Sequence, residues 1–485
     1  MRVFFGNPPW TRPGYFGVRA GSRWPHFERE DACYMPFPFH MAYASATLKR
    51  AGHETTQVDG CAERIADEEF LARLSAFAPQ IVVLEISTTS LDVDRAMVRK
   101  IRAVTGGDAI IVWCGAHSWQ ATEPDVLTTD PQVDYFMRGE YEFTLLELVE
   151  AIRDGKPVDG IPGLLFRDGT GKTVTNPQRK LLKNIDEYQW PDRDPLPMDR
   201  YYEAAGFLPG PNLQMWASRG CPFKCDFCIW PQFMYGGRNY RVRNERDIVA
   251  EVKHASDRYG MKSFYFDDDT FNIGKDRIAG YAQAFKEHGL NLPWGAMSRA
   301  DTFDRRTLEI MVGSGMRFIK YGVESGDKAL VDAMEKNLDL NRVREAVKWA
   351  KELGVAIHLT FSFGHPGETW ETARKTIDFM LDLSPDSLQI SLMQPFPGTG
   401  LYDKVKAKDL LVIQDLSKFD GYSTTPVRTE ALSPGDLEEI LREANRRWQR
   451  HVLWRGVRQA PMEKIALGLR HPAQAFTRVR DAIFG

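Results

Sequence analysis

Apolar and polar positions along the chain fall into two long series. In the first, strand-like runs occur at Arg2–Gly6 (closed by Asn7-Pro8-Pro9), Glu54–Val58, Ile81–Ile86 and Ala109–Cys114. Between them the period lengthens to that of a helix, as in Met41–Arg50, where Gly52 supplies the stop. Short, nearly all-apolar strands separated by helices predict a doubly wound parallel sheet, because strands covered on both faces dispense with polar alternation. Ligands of such sheets lie beyond the carboxyl ends of the strands. Those ends carry Asn7-Pro8, Ser87-Thr88-Thr89, Gly115-Ala116-His117 and Arg138-Gly139-Glu140-Tyr141-Glu142.

The second series places strands at Leu213–Ala217, Ser263–Phe266, Leu292–Met297, Phe318–Gly322, Ile357–Phe363 and Leu388–Met393. Helical periodicity fills 244–259, 277–288, 305–315, 327–335, 341–353 and 369–383. Repeated βα units of this length predict a barrel or partial barrel with its site at the strand C-termini. Four regions follow: an α/β domain at 1–155, a turn-rich linker at 156–205, the second α/β domain at 206–420 and a helical extension at 421–485. Asp168-Gly169-Thr170-Gly171 has the composition of a hairpin turn. Between the first strand and first helix, residues 10–39 form an unusually long loop rich in aromatics and Arg. Two roles suit it: a cap over a cofactor face or substrate entrance, or packing of the domain seam.

Composition narrows the function classes. A hydrophobic fraction of 43% and a charged fraction of 27% are those of an ordinary globular protein. A net charge of −3 gives no sign of nucleic-acid binding. The N-terminus lacks the long apolar run and small-residue cleavage pattern of a signal peptide, and no apolar stretch of about 18 residues predicts a transmembrane helix. Cys33, Cys61 and Cys114 are scattered and offer no disulfide framework, so a reducing, cytoplasmic setting is expected.

The other three of the six cysteines stand together in Arg219-Gly220-Cys221-Pro222-Phe223-Lys224-Cys225-Asp226-Phe227-Cys228. Gly220 and Pro222 keep this entry irregular, so the three thiols are free to face a common centre. Thiolates select zinc, copper(I) or iron–sulfur clusters. Structural zinc needs a fourth ligand, and no second Cys/His pair is near. Three cysteines on a four-iron cluster leave one iron open to a substrate or cofactor.

C-x3-C-x-aromatic-C, with Phe227 as the aromatic, resembles the signature of the radical S-adenosylmethionine (SAM) superfamily. The resemblance implies a 4Fe-4S cluster on Cys221, Cys225 and Cys228, whose open iron chelates SAM, and a six-stranded partial (β/α) barrel. It also implies SAM contacts from the strand ends. Asp268, within Asp267-Asp268-Asp269, is expected to accept from the SAM amino group, though such acids also suit a hard cation or a helix cap. Ser298-Arg299 is expected to meet the SAM carboxylate, and Glu324 the ribose or amine. Gly364 and Gly367, in Gly364-His365-Pro366-Gly367-Glu368-Thr369, are expected to let backbone approach the adenine. Pro395–Thr399 ends the sixth strand.

The first domain resembles the cobalamin-binding domain that precedes many radical SAM proteins (the class B type). Pro36-Phe37-Pro38, Gly115-x-His117 and Val133-Asp134-x3-Arg138-Gly139-Glu140-x-Glu142 carry this resemblance. It implies cobalamin contacts from Asn7, Pro8, Ser87, Thr88, Gly115, His117, Gly139 and Glu140. The D-x-H-x2-G run that supplies an axial histidine in other cobalamin proteins is absent, so no such ligand to cobalt is expected.

The family implies C-methylation of an unactivated carbon: one SAM methylates cob(I)alamin, and another is cleaved at the cluster to start radical chemistry on the substrate. Radical cyclisation or rearrangement without methyl transfer is the nearest rival. A metal-stapled binding module without SAM turnover is the rival from another class, and the acidic strand ends count against it. The expected partners are a small-molecule or lipid-like substrate and an electron donor such as flavodoxin or ferredoxin, with no nucleic acid. From Arg442 to Gly485, nine Arg and one Lys face three acids. That tail suits a helical cap packed on the barrel, the favoured expectation, or peripheral contact with an anionic membrane.

Overall fold

Phe4 and Phe5 point to opposite faces of one strand, and each finds its own core. That is the arrangement of a strand covered on both sides. The computed structural model of the chain describes residues 1–116, 126–421 and 424–459. Its first sheet contains β1 (Arg2–Asn7), β2 (Glu54–Asp59), β3 (Ile81–Ser87), β4 (Ile110–Ala116), β5 (Tyr135–Met137), β6 (Leu164–Arg167) and β7 (Thr173–Thr175), in the order β7-β6-β5-β4-β3-β1-β2. The first five are parallel, as expected. Phe4 packs with Phe70 and Leu74 on one face, while Val3 and Phe5 join the helices Phe39–Arg50 and Glu142–Asp154 in a core shared with the second domain.

The expected linker is shorter than its composition suggested. The 168–171 turn joins β6 to β7, and this antiparallel hairpin extends the first sheet beyond β5. The extended segment after it stitches the two domains. Asp192 holds Lys49 at 2.7 Å and Ser45 at 2.6 Å, and the buried Arg193 pairs with Glu251 at 2.6 Å.

The second sheet runs β8 (Asn212–Met215), β9 (Ser263–Phe266), β10 (Trp294–Ser298), β11 (Met316–Glu324), β12 (Ala356–Phe363) and β13 (Ser387–Leu392) in sequential order. Every pairing is parallel. β8 and β13 are not paired with each other, so among the described residues the barrel is open along one side. The outer helices start where Asn244, Asp304, Asp327, Asp339 and Thr369 cap free N–H groups with their side chains.

Residues 10–39 use much of their length in a three-stranded antiparallel ribbon over Thr11–Arg12, Tyr15–Val18 and His26–Arg29. Beyond it the chain is clipped to β8: Gln214 donates to Met35 O and accepts from Phe37 N, both at 2.8 Å. The C-terminal helix Pro434–Gln459 begins at the expected box, where Ser433 and Asp436 exchange hydrogen bonds. It docks on the barrel through the buried Leu437, Ile440 and Ala444. Arg447 pairs with Asp378 at 2.6 Å, and His451 meets Ser384 at 2.7 Å. Two of the tail's basic side chains are thus engaged with the barrel, Arg455 through the carbonyls of Ser384 and Pro385; the tail beyond 459 lies outside the described residues. No helix among the described residues is long and apolar enough to cross a membrane.

Candidate active site

Gly220 opens the cysteine loop at φ +89°, and a Cβ there would stand 2.2 Å from the carbonyl oxygen of Asn239. Only glycine permits that approach, which lays Ser218–Arg219 against Arg241–Val242 as a short ribbon. Gln232 Nε2 donates to the carbonyl of Cys228 at 2.7 Å and of Asp226 at 3.2 Å, which fixes the far side of the loop. Asp226, between the cysteines, is buried against His365 at 3.2 Å and Lys404 at 2.8 Å. The loop is therefore held by the fifth strand end and by the helix Gly400–Ala407 as well as by its own turn.

Burial pushes the Cys221 thiol up to about 11 and raises Cys225 and Cys228 as well. After burial and Asp269, the other two cysteines are among the causes for Cys228, so the three thiols lie within electrostatic reach of one another. Without metal they are protonated at neutral pH, and thiolate formation is coupled to metal binding. Among the described residues no three such ligands converge tightly enough for a single ion. Three buried thiols on one loop, within electrostatic reach of one another, are the soft donor set an iron–sulfur cluster takes, and in that chemistry the triplet fits the group.

The strand ends divide the expected SAM residues into two sets. Ser298 is buried and its Oγ has no hydrogen-bond partner, an orphan that a ligand would satisfy. Glu324 sits at φ +71°, uncommon for a residue with a side chain, and its carboxylate meets Lys336 at 3.2 Å and Thr360 at 3.3 Å. Phe227, Cys228, Glu324, Thr360 and Ser362 all line one cavity of about 830 Å³ that runs through the barrel from Lys320 and His358 to the strand ends.

The other set has different work. Asp268 is fully buried and accepts from Ala217 N–H at 2.8 Å and from the Ser218 hydroxyl, so it braces the entry to the cysteine loop. Burial pushes its carboxyl up to about 7. Arg299 is committed to Asp301 at 2.6 Å and to the Lys336 carbonyl at 2.7 Å, with its guanidinium 3.9 Å from the Phe223 ring centroid. Gly364 and Gly367 do have positive φ, but a Cβ on Gly364 would meet Leu437 and Val427, and Gly367 N–H donates to Glu430 at 2.8 Å. These glycines accommodate the C-terminal segment.

The edge of the first sheet is similarly occupied. Arg19, buried, donates to Asn7 at 2.7 Å, to the Pro8 carbonyl at 2.8 Å and to Ser90 at 2.7 Å, and pairs with Asp94. Ser87 bonds to Ser90 at 2.8 Å, and Thr88 is buried. Gly115 is required because a Cβ would lie 2.5 Å from Ile86 O; Gly139 has φ +67° and faces Met234 O of the barrel. Glu140 is engaged by Arg241 at 2.7 Å, Arg219 at 3.3 Å and Tyr188 at 3.1 Å. Asn7, Pro8, Ser87 and Glu140 are thus spent on the protein itself, and His117 lies outside the described residues. The cavity does extend to Gly21 and Ser22 of the first domain's loop, so the space between the two domains fits a bound group even though those side chains do not cradle it.

Sequence reasoning missed three contributors. Arg23, from the long loop, reaches Asp267 at 2.8 Å and Asp269 at 3.0 Å beside Cys228. Lys336 neutralises Glu324. On the barrel floor Lys320 pairs with Glu203 at 3.2 Å, near His358. All three are long-range pairs, for which local patterning carries no signal. The long loop both packs the seam and lines the cavity, so its two expected roles coexist.

Two family models match the chain: the radical SAM superfamily over residues 217–380 and the B12 binding domain over residues 34–149. An uncharacterised methyltransferase of Pyrococcus horikoshii is 31% identical over 409 residues, 84% of this chain and 86% of the relative. An anaerobic magnesium-protoporphyrin IX monomethyl ester cyclase of Cereibacter sphaeroides is 26% identical over 471 residues, covering 94% and 72%. The solved structure of the cobalamin-dependent SAM radical enzyme OxsB, with aqua-cobalamin and SAM bound, superposes with a TM-score of 0.73 at 14% identity, covering 99% and 71%, a likeness of fold.

Proposed function

The chain belongs to the radical SAM enzymes that carry an N-terminal cobalamin-binding domain, and from that premise we propose that it methylates an unactivated carbon of a small molecule. The observation that carries this is the cavity: it touches Cys228 on the barrel side and Gly21–Trp24 of the first domain on the other. When bound, the cluster supplies the electron that opens the sulfonium of SAM, and cobalamin supplies a methyl carrier.

The chain's own residues bind and orient. Cys221, Cys225 and Cys228 would hold the cluster. We assign the free Ser298 hydroxyl and the Glu324 carboxylate to SAM, with Phe227 against it and Lys336 fixing Glu324. Asp268 and Arg299 act one step back, holding the loop and the strand end. Trp24, Tyr34, Phe207 and Phe318 line the cavity, and such walls exclude water from a radical reaction. We take the electron donor to be a flavodoxin or ferredoxin in a reducing, cytoplasmic compartment.

The test is anaerobic reconstitution followed by assay for 5′-deoxyadenosine and S-adenosylhomocysteine with a small-molecule cell extract as substrate. Both products are expected. The likeness to a cyclase across nearly the whole chain favours one second reading, ring formation without methyl transfer. That reaction gives 5′-deoxyadenosine without S-adenosylhomocysteine.

A further inference from the structure

Two residues on either side of the cysteine triplet are fastened to the first domain. Arg219, two positions before Cys221, is buried with its Nη1 2.8 Å from Glu142 and 3.3 Å from Glu140, both on the segment that follows β5. Its guanidinium lies 3.9 Å from the Tyr188 ring centroid and 4.5 Å from that of Tyr43. Trp230, two positions after Cys228, is buried too. His40 of the first domain packs 5.5 Å from its ring, and Arg23 from the long loop lies 4.9 Å over it while pairing with Asp267 and Asp269. The exchange is reciprocal: a barrel arginine enters the first domain on one side, and a first-domain arginine enters the barrel on the other.

Burying these charges is costly. Arg219 Nη2, Glu142 Oε2, His40 Nε2 and Trp230 Nε1 are all buried without a partner. Breaking a buried charge pair costs more than a surface one because the remaining charge is stranded. A seam needed only for adhesion is served as well by apolar packing, and Phe39 already stacks on Trp216 at 4.2 Å nearby. The ion pairs add directionality: Arg23 spreads its fork over Asp267 and Asp269, and Arg219 ties the residue two before Cys221 to Glu142 and Glu140 through Nη1.

We propose that Arg219, through Glu142, and Arg23, through Asp267 and Asp269, are positioning residues that set the cluster loop's distance and orientation relative to the first domain. Resting on the function proposed above, this makes the loop, and not the domain interface at large, the element that fixes the separation of the two cofactors.

The test is pulsed dipolar electron paramagnetic resonance on holoenzyme between the reduced cluster and cob(II)alamin, in wild type, Glu142→Gln and Arg23→Gln. Wild type is expected to give one narrow distance distribution. Each variant is expected to keep its iron, sulfide and cobalt content yet broaden that distribution at least twofold, and to raise the ratio of 5′-deoxyadenosine to S-adenosylhomocysteine. Unchanged distributions in both variants overturn the proposal. Arg23→Gln alters a side chain that is 22% exposed, so it keeps the test available should Glu142→Gln not fold. Wild-type protein that takes up no iron–sulfur cluster or no cobalt removes the functional assignment itself, a result separate from an unchanged distribution.

Discussion

Replacing Asp268 with Ala is expected to loosen the cysteine loop without touching SAM. The carboxylate accepts two hydrogen bonds in a fully buried site, from Ala217 N–H and the Ser218 hydroxyl. Leaving the buried Ala217 N–H without an acceptor costs about 1–3 kcal/mol whichever form the carboxyl takes, so the loss amounts to roughly 2 kcal/mol, or about 30-fold in local opening. Asp268→Asn is the control, because the amide oxygen still accepts from Ala217 and its NH2 donates to a rotated Ser218 hydroxyl. The pH dependence separates the two variants further. Burial raises the folded carboxyl from 3.8 to about 7, so the folded state holds the proton more tightly than the unfolded one. Its contribution is fully present below 3.8 and is lost as pH rises through about 7, a swing on the order of 4 kcal/mol that Asp268→Asn should remove. The assay is hydrogen exchange at Ala217–Cys221 at pH 6 and 8, alongside iron and sulfide content. Asp268→Ala with wild-type protection and cluster content but weakened SAM binding would refute the reasoning and return the carboxylate to the ligand.

Alanine at Cys221, Cys225 or Cys228 should each abolish 5′-deoxyadenosine formation; turnover surviving in any one of them sinks the cluster assignment. Ser298→Ala should weaken SAM binding about 5- to 30-fold, the equivalent of one net hydrogen bond of roughly 1–2 kcal/mol, by calorimetry on reconstituted protein. Glu368 is buried, which pushes it up to about 8 even though Gly364 N–H donates to it. Its contribution to stability is therefore fully present below 4.5 and lost as pH climbs through about 8, and Glu368→Gln should flatten the melting temperature across that window. Liposome sedimentation should leave the full chain in the supernatant, as the docked helix at Arg447–Arg455 predicts.

Both sheets were legible because strand and helix periods change cleanly along the chain. β9 is a four-residue run, Ser-Phe-Tyr-Phe, that ends in acids at the site. The cysteine triplet announced itself by spacing alone. What stayed illegible was which partner within the chain each polar side chain at a strand end would find. Asp268, Arg299 and Glu140 each have the right type in the right place, yet each is consumed by a partner 2 to 101 positions away in sequence. Periodicity reports which face a residue occupies, and says nothing about which of several neighbouring acids turns inward. Glu324 lines the cavity, and Ser298 keeps a buried hydroxyl without a partner, so both remain open to a ligand. Arg23 was invisible for the same reason that Asp268 misled: its partners lie 244 and 246 residues further on.

The Gln214 clip has a consequence for anyone who would cut this chain into modules. Residues 35–37 hang on the Gln214 side chain and Arg193 donates to the Gln214 carbonyl, beside a first barrel strand whose outer margin has no strand neighbour among the described residues. A stand-alone fragment starting near residue 206 would bare that margin, and bare strand margins recruit copies of themselves. Such a truncation should emerge as inclusion bodies, and adding back residues 1–39 alone, without the sheet that anchors them, should not rescue it.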